Sequence, residues 1–262
     1  MKHSIKINDI NHWMSTIAEI HSKEFGPKDD ITIDLKGMIH DDFDASHMAS
    51  IACIETSLHS KGVFFTWIGL LLVKEMLSHD HYLFKVDEEL IEMITQDIHD
   101  SLKRLHYPNI DISAVKGCLN EALYNIFDHA DAHGEAYMCI SLDMYKDVIS
   151  VGVCDFGIGV AKKIRTHYPD ITEDTEALRK AIENSFTTQS KPHNRGYGLD
   201  NIISCCSEGN TFKLTSNGAS LIVLNNKIST FALDYEFPGT LLYFEISISE
   251  LPDDEDLFED II

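Results

Sequence analysis

The chain has 262 residues, with 21 Lys plus Arg against 43 Asp plus Glu and a formal net charge of −22. That field repels DNA and RNA, whose affinity rests on phosphates neutralised by basic side chains, while a local basic pocket for a small phosphate ligand stays open. Hydrophobic content of 44% with 24% charged residues is that of a folded protein; no apolar run reaches the ~20 residues that span a bilayer and no apolar signal segment opens the chain, so a soluble, cytoplasmic protein without nucleic-acid or membrane partners is expected.

In chain order, Ile31 to Leu35 alternates as a short strand and Gly37 breaks it. Asp44 or Ser46 caps a helix running to about His59, with Met48, Ile51, Ile54 and Leu58 at helical spacing. Lys61-Gly62 ends it, and Val63 to Trp67 reads as a buried strand, followed by a helix over Leu70 to Leu77 and a loop over Ser78 to His81. This order predicts a small α/β unit over 1–84.

From Asp87 to Leu105 an apolar stripe of Leu90, Ile91, Ile94, Ile98, Leu102 and Leu105 predicts a helix, wide enough to serve either an intramolecular contact or a homodimer seam. A second helix runs from Ser113 to Ala130, and two strands follow, Glu135 to Leu142 and Val148 to Cys154. Val160 to Glu183 is helical and polar, Thr187 to Gly198 a loop, Leu199 to Ser207 a helix. Three strands finish the unit: Thr211 to Thr215, Ser220 to Asn225 and Thr240 to Ser247. Residues 85–249 therefore read as α+β, with helices on one face of a mixed, mainly antiparallel sheet. The stretch 250–262 is a solvated tail in which seven acids meet no base, with Leu257, Phe258, Ile261 and Ile262 between them. Six cysteines sit mostly in apolar segments and never as C-x-x-C, and the fourteen histidines scatter, so neither disulfides nor a protein-ligated metal cluster is expected.

Three segments carry chemistry. On the helix from Ser113, Glu121, Asn125 and His129 fall within one arc of ~80° beside the apolar face of Val115, Leu119, Ala122 and Ile126. A carboxylate and an amide at the edge of a packed face are costly to desolvate unless something uses them. The strand ending at Cys154 delivers Asp155-Phe156-Gly157-Ile158-Gly159, an acid in a cleft followed by backbone open to close approach. Asn194-Arg195-Gly196-Tyr197-Gly198-Leu199 opens a helix, where glycines leave N–H groups pointed at phosphate oxygens.

N-E-x-x-x-N-x-x-x-H-A over Asn120 to Ala130, D-x-G-x-G over Asp155 to Gly159, R-G-x-G-L over Arg195 to Leu199 and Gly239-Thr240 on the last strand together resemble the GHKL superfamily: gyrase B, Hsp90, histidine kinases and MutL. The resemblance covers about Leu105 to Ser249. It implies the Bergerat ATP-binding sandwich, with ATP and Mg²⁺ as ligands. It assigns Asp155 to the adenine amino group with Thr240 supporting through water, Asn125 to Mg²⁺, and Glu121 to the role of general base. Gly157 and Gly159 would allow close approach at the adenine, Gly196 and Gly198 would wrap the phosphates, and Lys191 or Arg195 would be their charge partners.

The first unit, with Asp44-Ala45-Ser46 ahead of a helix and Lys61-Gly62 behind it, more weakly resembles the STAS domain of anti-sigma-factor antagonists. That family carries a phosphoacceptor serine after the Asp; here Ala45 stands there, so the acceptor is missing unless Ser46 substitutes. Only 21 positions separate His99 from Asn120, too few for the hairpin of a histidine kinase that labels itself. The resemblance thus implies an ATP-driven conformational switch for a protein partner through binding or slow hydrolysis. The alternatives are a protein kinase acting in trans on serine, threonine or histidine, as anti-sigma kinases do, or a nucleotide-binding scaffold with negligible turnover.

Overall fold

The computed structural model describes residues 1–7, 9–37, 43–69, 80–130, 136–183, 198–206 and 208–254. Strands β1 (Lys2–Lys6), β2 (Asp30–Asp34) and β3 (Phe64–Ile68) pair in parallel in that order. Parallel neighbours cannot be joined by a hairpin, and α1 (Trp13–Ser22) and α2 (Ala45–Ser60) are the crossovers. β1 and α1 carry no clear signal in the sequence: β1 alternates Lys, Ser and Lys with a single Ile, and polar residues interrupt the stripe of α1.

Asp44 caps α2 by accepting from the Ser46 N–H at 2.8 Å, and His47 Nδ1 reaches back to the Asp44 N–H at 3.1 Å. Almost every side of α2 is buried, from Ala45 through Ile51 to Leu58. A helix apolar or small on all sides needs cover on all sides. One side is the parallel sheet; the other is a second sheet.

That second sheet takes β4 (Asp80–Val86) and, after α3 (Ile91–Leu105) and α4 (Ser113–Ala130), the strands β5 (Ala136–Asp143) and β6 (Val148–Asp155). The short helices α5 (Val160–His167), α6 (Asp174–Ala181) and α7 (Gly198–Cys205) precede β7 (Thr211–Leu224) and β8 (Lys227–Ser247). The order is β4-β5-β6-β8-β7, and every neighbouring pair is antiparallel.

The α+β architecture with a mainly antiparallel sheet is as expected; the sheet differs in having no parallel pair among the described strands and in carrying α1 and α2 of the N-terminal unit on its second face. The second sheet is wholly antiparallel, and it is covered on both faces. Met138, Ile140, Val151, Val153, Leu242 and Phe244 share one core with Leu119, Leu123 and Ile126 of α4. The alternate residues Cys139, Cys154, Leu241 and Tyr243 share another with Trp13 and Ile17 of α1 and Met48 and Ile51 of α2. Strands buried on both faces read as near-continuous apolar runs, as β5 and β6 do.

Asp80 to Val86 pairs with Leu142 to Ala136, so the residues expected as a loop end and a domain boundary at 84/85 form the edge strand of the second sheet. The helix expected over Leu70 to Leu77 lies outside the described residues. Instead of three short terminal strands there are two long ones, joined by Asn225-Asn226, both with positive φ in a two-residue hairpin turn. Asn217-Gly218 and Pro238-Gly239 fall at register shifts inside the ladder.

Ile91, Ile98 and Leu102 of the α3 stripe are buried within the chain, while Leu90, Met93 and Leu105 stay exposed. The start of the acidic tail is held: Asp111 N donates to Pro252 O at 2.8 Å, Asp254 N to Asn109 O at 3.0 Å, and Lys103 Nζ meets Asp254 Oδ2 at 2.5 Å. Among the described residues no helix is long and apolar enough to cross a membrane.

Candidate functional site

Side chains alternate along a strand, so Asp155 follows Val151 and Val153 onto the face that α4 covers. It is fully buried. The Gly157 N–H donates to Asp155 Oδ1 at 2.7 Å, and Thr240 stands directly opposite in register. The second oxygen, Oδ2, is buried with no hydrogen-bond partner. Burial pushes the acid up to about 7, and the hydrogen bond from Gly157 offsets only part of that shift.

The backbone around this carboxyl group is too close for side chains. A Cβ on Gly239, where φ is +93, would stand 2.3 Å from Asp155 O and 2.8 Å from Oδ1. Gly159, with φ +84, would meet Asn217 Oδ1 at 2.4 Å and Ser216 Oγ at 2.7 Å. Asn217 holds the loop from two sides: Oδ1 accepts from Lys162 N at 2.9 Å and Nδ2 donates to Ile158 O at 3.1 Å. Thr240 Oγ1 accepts from Val160 N at 3.3 Å, and the Ser216 hydroxyl donates to Gly239 O at 2.8 Å. The start of α5 is thereby tied to β7 and β8.

A second group lies on α4. Asn125 Nδ2 donates to the Glu121 carbonyl at 2.7 Å, which directs Oδ1 the other way. Gly198, the first residue of α7, comes against that amide: a Cβ there would stand 2.9 Å from Asn125 Nδ2 and 3.1 Å from Oδ1. Asn120 Oδ1 accepts from the buried Thr95 hydroxyl of α3 at 2.6 Å, which locks α4 against α3. Glu121 is half-buried beside Asn125.

The structure thus gathers Asp155, Gly157, Gly159 and Thr240 around one buried carboxyl group, and Glu121, Asn125 and Gly198 at the edge of α4. Lys191, Arg195 and Gly196 lie outside the described residues, as does the His129 side chain. Among the described residues no group of three or more His, Cys, Asp or Glu is placed to hold a metal. Sequence reasoning missed Ser216 and Asn217; the Asn217-Gly218 dipeptide inside an apolar run was the available signal, because Asn tolerates the positive φ that a bulge requires.

In the N-terminal unit Ser46, the one candidate to replace the acceptor serine, is 3% exposed and donates its hydroxyl to Asp44 Oδ1 at 2.5 Å. Phe156, next to Asp155, turns to the opposite face of the sheet and meets the His21 ring edge-on at 4.8 Å. Compared with known families and curated proteins, the chain matches no family model and no curated sequence.

Proposed function

We propose that this chain binds Mg-ATP in a Bergerat-type site between Asp155 and the edge of α4, as GHKL proteins do, and that binding or slow hydrolysis acts as a conformational switch for a protein partner. The observation that carries this reading is Asp155 Oδ2, a buried acceptor without a donor inside a backbone cradle that no side chain could share. An orphaned buried oxygen costs about 1–3 kcal/mol, and an exocyclic amino N–H of adenine would relieve that cost.

The residues fit the ligand in kind. Asp155 accepts from the base amino group, and Thr240 orients a water beside it. Asn125 turns its amide oxygen outward, a hard donor that suits Mg²⁺; that ion keeps several waters and takes its other ligands from phosphates, so a single amide without a carboxylate cluster is consistent with it. Bound Mg²⁺ supplies neutralisation of phosphate charge. Glu121, one turn before Asn125 on α4, orients the attacking hydroxyl or water and takes its proton. The resemblance gives the phosphate side to Gly198 and, outside the described residues, to Lys191, Arg195 and Gly196. In this reading the N-terminal unit is a STAS-like docking module in a cytoplasmic protein, and Phe156 against His21 links it to the nucleotide loop.

The test is equilibrium binding of ATP by the full chain, with Asp155→Asn and Glu121→Ala, followed by incubation with γ-labelled Mg-ATP. The expected result is binding in the wild type and Glu121→Ala, loss of at least tenfold in affinity for Asp155→Asn, and phosphate release only in the wild type. Label on protein would replace the switch by a kinase, binding without any turnover would leave a scaffold, and absence of binding would overturn the reading.

A further inference from the structure

β8 runs past the sheet it belongs to. From Thr240 to Ser247 it lies between β6 and β7, but from Lys227 to Ala232 it pairs with β7 alone, and none of the described strands pairs with its other side. The turn orients the backbone there. Asn225 and Asn226 both have positive φ, so Leu224 and Lys227 close a two-residue turn by bonding to one another. Hydrogen-bonded and non-hydrogen-bonded pairs alternate along an antiparallel ladder. Lys227, Ser229 and Phe231 therefore turn their N–H and C=O groups to β7, and Ile228, Thr230 and Ala232 turn theirs to the open side.

The side chains at this edge are apolar where they meet water. Tyr235, Phe237, Leu241 and Tyr243 alternate along β8 onto the face that α1 and α2 cover. Phe231 stands on that face beyond the cover and is 50% exposed, and Ile228 on the opposite face is 47% exposed. On the face of Ile228, Arg179 of α6 donates to Thr230 Oγ1 at 2.9 Å, so the hairpin is held in place up to this point. An open edge strand with exposed apolar side chains is a template for another strand. Its charges run in one direction: Lys227 begins the stretch, and the exposed Asp234 and Glu236 end it.

We infer that this edge is an interface between two copies of the chain, β8 against β8 in antiparallel pairing about a two-fold axis at Phe231. Antiparallel pairing brings the Lys227 end of each copy to the Asp234–Glu236 end of the other, so the stretch is its own electrostatic complement in a chain of net charge −22. With the axis at Phe231, the two Phe231 rings meet as a non-hydrogen-bonded pair, the kind whose side chains approach closest. Thr230 then exchanges both backbone hydrogen bonds with Ala232 of the other copy. Ser229 stands opposite Leu233, and Lys227 opposite Tyr235, between the two acids. An axis at Thr230 would set Phe231 against Ser229, and an axis at Ala232 would set Lys227 against the buried Phe237. The contact is isologous and joins the two five-stranded sheets into one. It leaves α3 out, whose stripe is spent inside the chain at Ile91, Ile98 and Leu102.

The test is sedimentation equilibrium of the full chain over a range of concentrations, with circular dichroism as the check on fold. The expected result is a reversible rise from the 29.6 kDa monomer to twice that mass. Ala232→Pro removes an N–H that faces away from β7, and Phe231→Lys sets like charges on the axis. Each is expected to weaken association roughly tenfold or more with an unchanged spectrum. Under mild oxidation, with Cys205 and Cys206 replaced by Ser, Phe231→Cys is expected to link copy to copy, and Ser229→Cys, two residues off the axis, to stay unlinked. The cross-links decide the register even where a variant loses its fold. A monomer at every concentration, a dimer that both substitutions leave intact, or a link at Ser229→Cys in place of Phe231→Cys would overturn the inference. Nothing in this test depends on nucleotide binding.

Discussion

Gly152 of β6 lies directly beneath Ala45 of α2: a Cβ at 152 would stand 2.4 Å from both the Ala45 carbonyl carbon and the Ser46 nitrogen. Backbone meets backbone there, with no flexible side chain to yield. The N-terminal unit is seated on the antiparallel sheet through this contact. Gly152→Ala is expected to lower unfolding free energy by about 1–3 kcal/mol, the range for an overpacked core. Urea denaturation measures it, and an unchanged midpoint would show that α2 can lift without cost.

Asp155 predicts an unusual pH dependence. Its folded pKa stands at about 7, above the ordinary 3.8, because burial disfavours its charged form. Below about 4 both folded and unfolded states hold the proton and there is no penalty. As pH rises from about 4 to about 7 the unfolded chain ionises first, so the folded state loses stability, on the order of 4 kcal/mol, and the loss levels off above 7. Asp155→Asn removes this slope. Thermal or urea unfolding of both proteins from pH 4 to 8 checks it, and parallel curves would refute it.

Asp44 predicts the opposite sign. Burial alone would push it up, but the His47 ring at 2.9 Å and the Ser46 hydroxyl outweigh that and hold it down to about 2. Its contribution is present above about 4 and is lost as pH falls towards 2, about 2 kcal/mol in all. Asp44→Asn should therefore be destabilising at pH 6 and close to neutral at pH 2, as unfolding measured at those two points would show.

Asn217 is expected to position the loop at Asp155. Asn217→Ala strips the Lys162 N–H and the Ile158 carbonyl of their partner and places a less tolerant residue at φ +51. A loss of about 1–3 kcal/mol follows from the unsatisfied groups. Asn217→Gly keeps the backbone freedom and loses only the hydrogen bonds, so the difference between the two variants isolates the φ strain. Faster amide exchange at Ile158 to Lys162 in both would place the effect at the loop. Unchanged exchange would mean that the loop holds itself.

Much of the site was legible in the residues. α4 runs over the range its periodicity demanded, β5 and β6 lie within a residue of their expected bounds, and the spacing of Glu121 and Asn125 put both at one helix edge. Asp155 at the end of an apolar strand, followed by two glycines, was bound to deliver a carboxyl group to a strand end. These are short-range consequences of 3.6-residue and two-residue periods, which local sequence encodes.

What local sequence could not encode is which surfaces meet. Cys139, Cys154, Leu241 and Tyr243 look alike whether they face a helix of the same unit or of another, and only the tertiary structure set α1 and α2 on them. The partner that closes an edge strand is remote in sequence, so Asp80 to Val86 read as a loop and a boundary until β5 supplied its ladder. Asn217 fell between two expected strands because a bulge is defined by the register of two strands. Gly198 beside Asn125 likewise depends on how α7 docks. The amino-acid sequence determined the elements and the chemistry each one carries. The packing of both faces of one sheet decided which of those chemistries share a site, because burial and pairing are properties of surfaces brought together from distant parts of the chain.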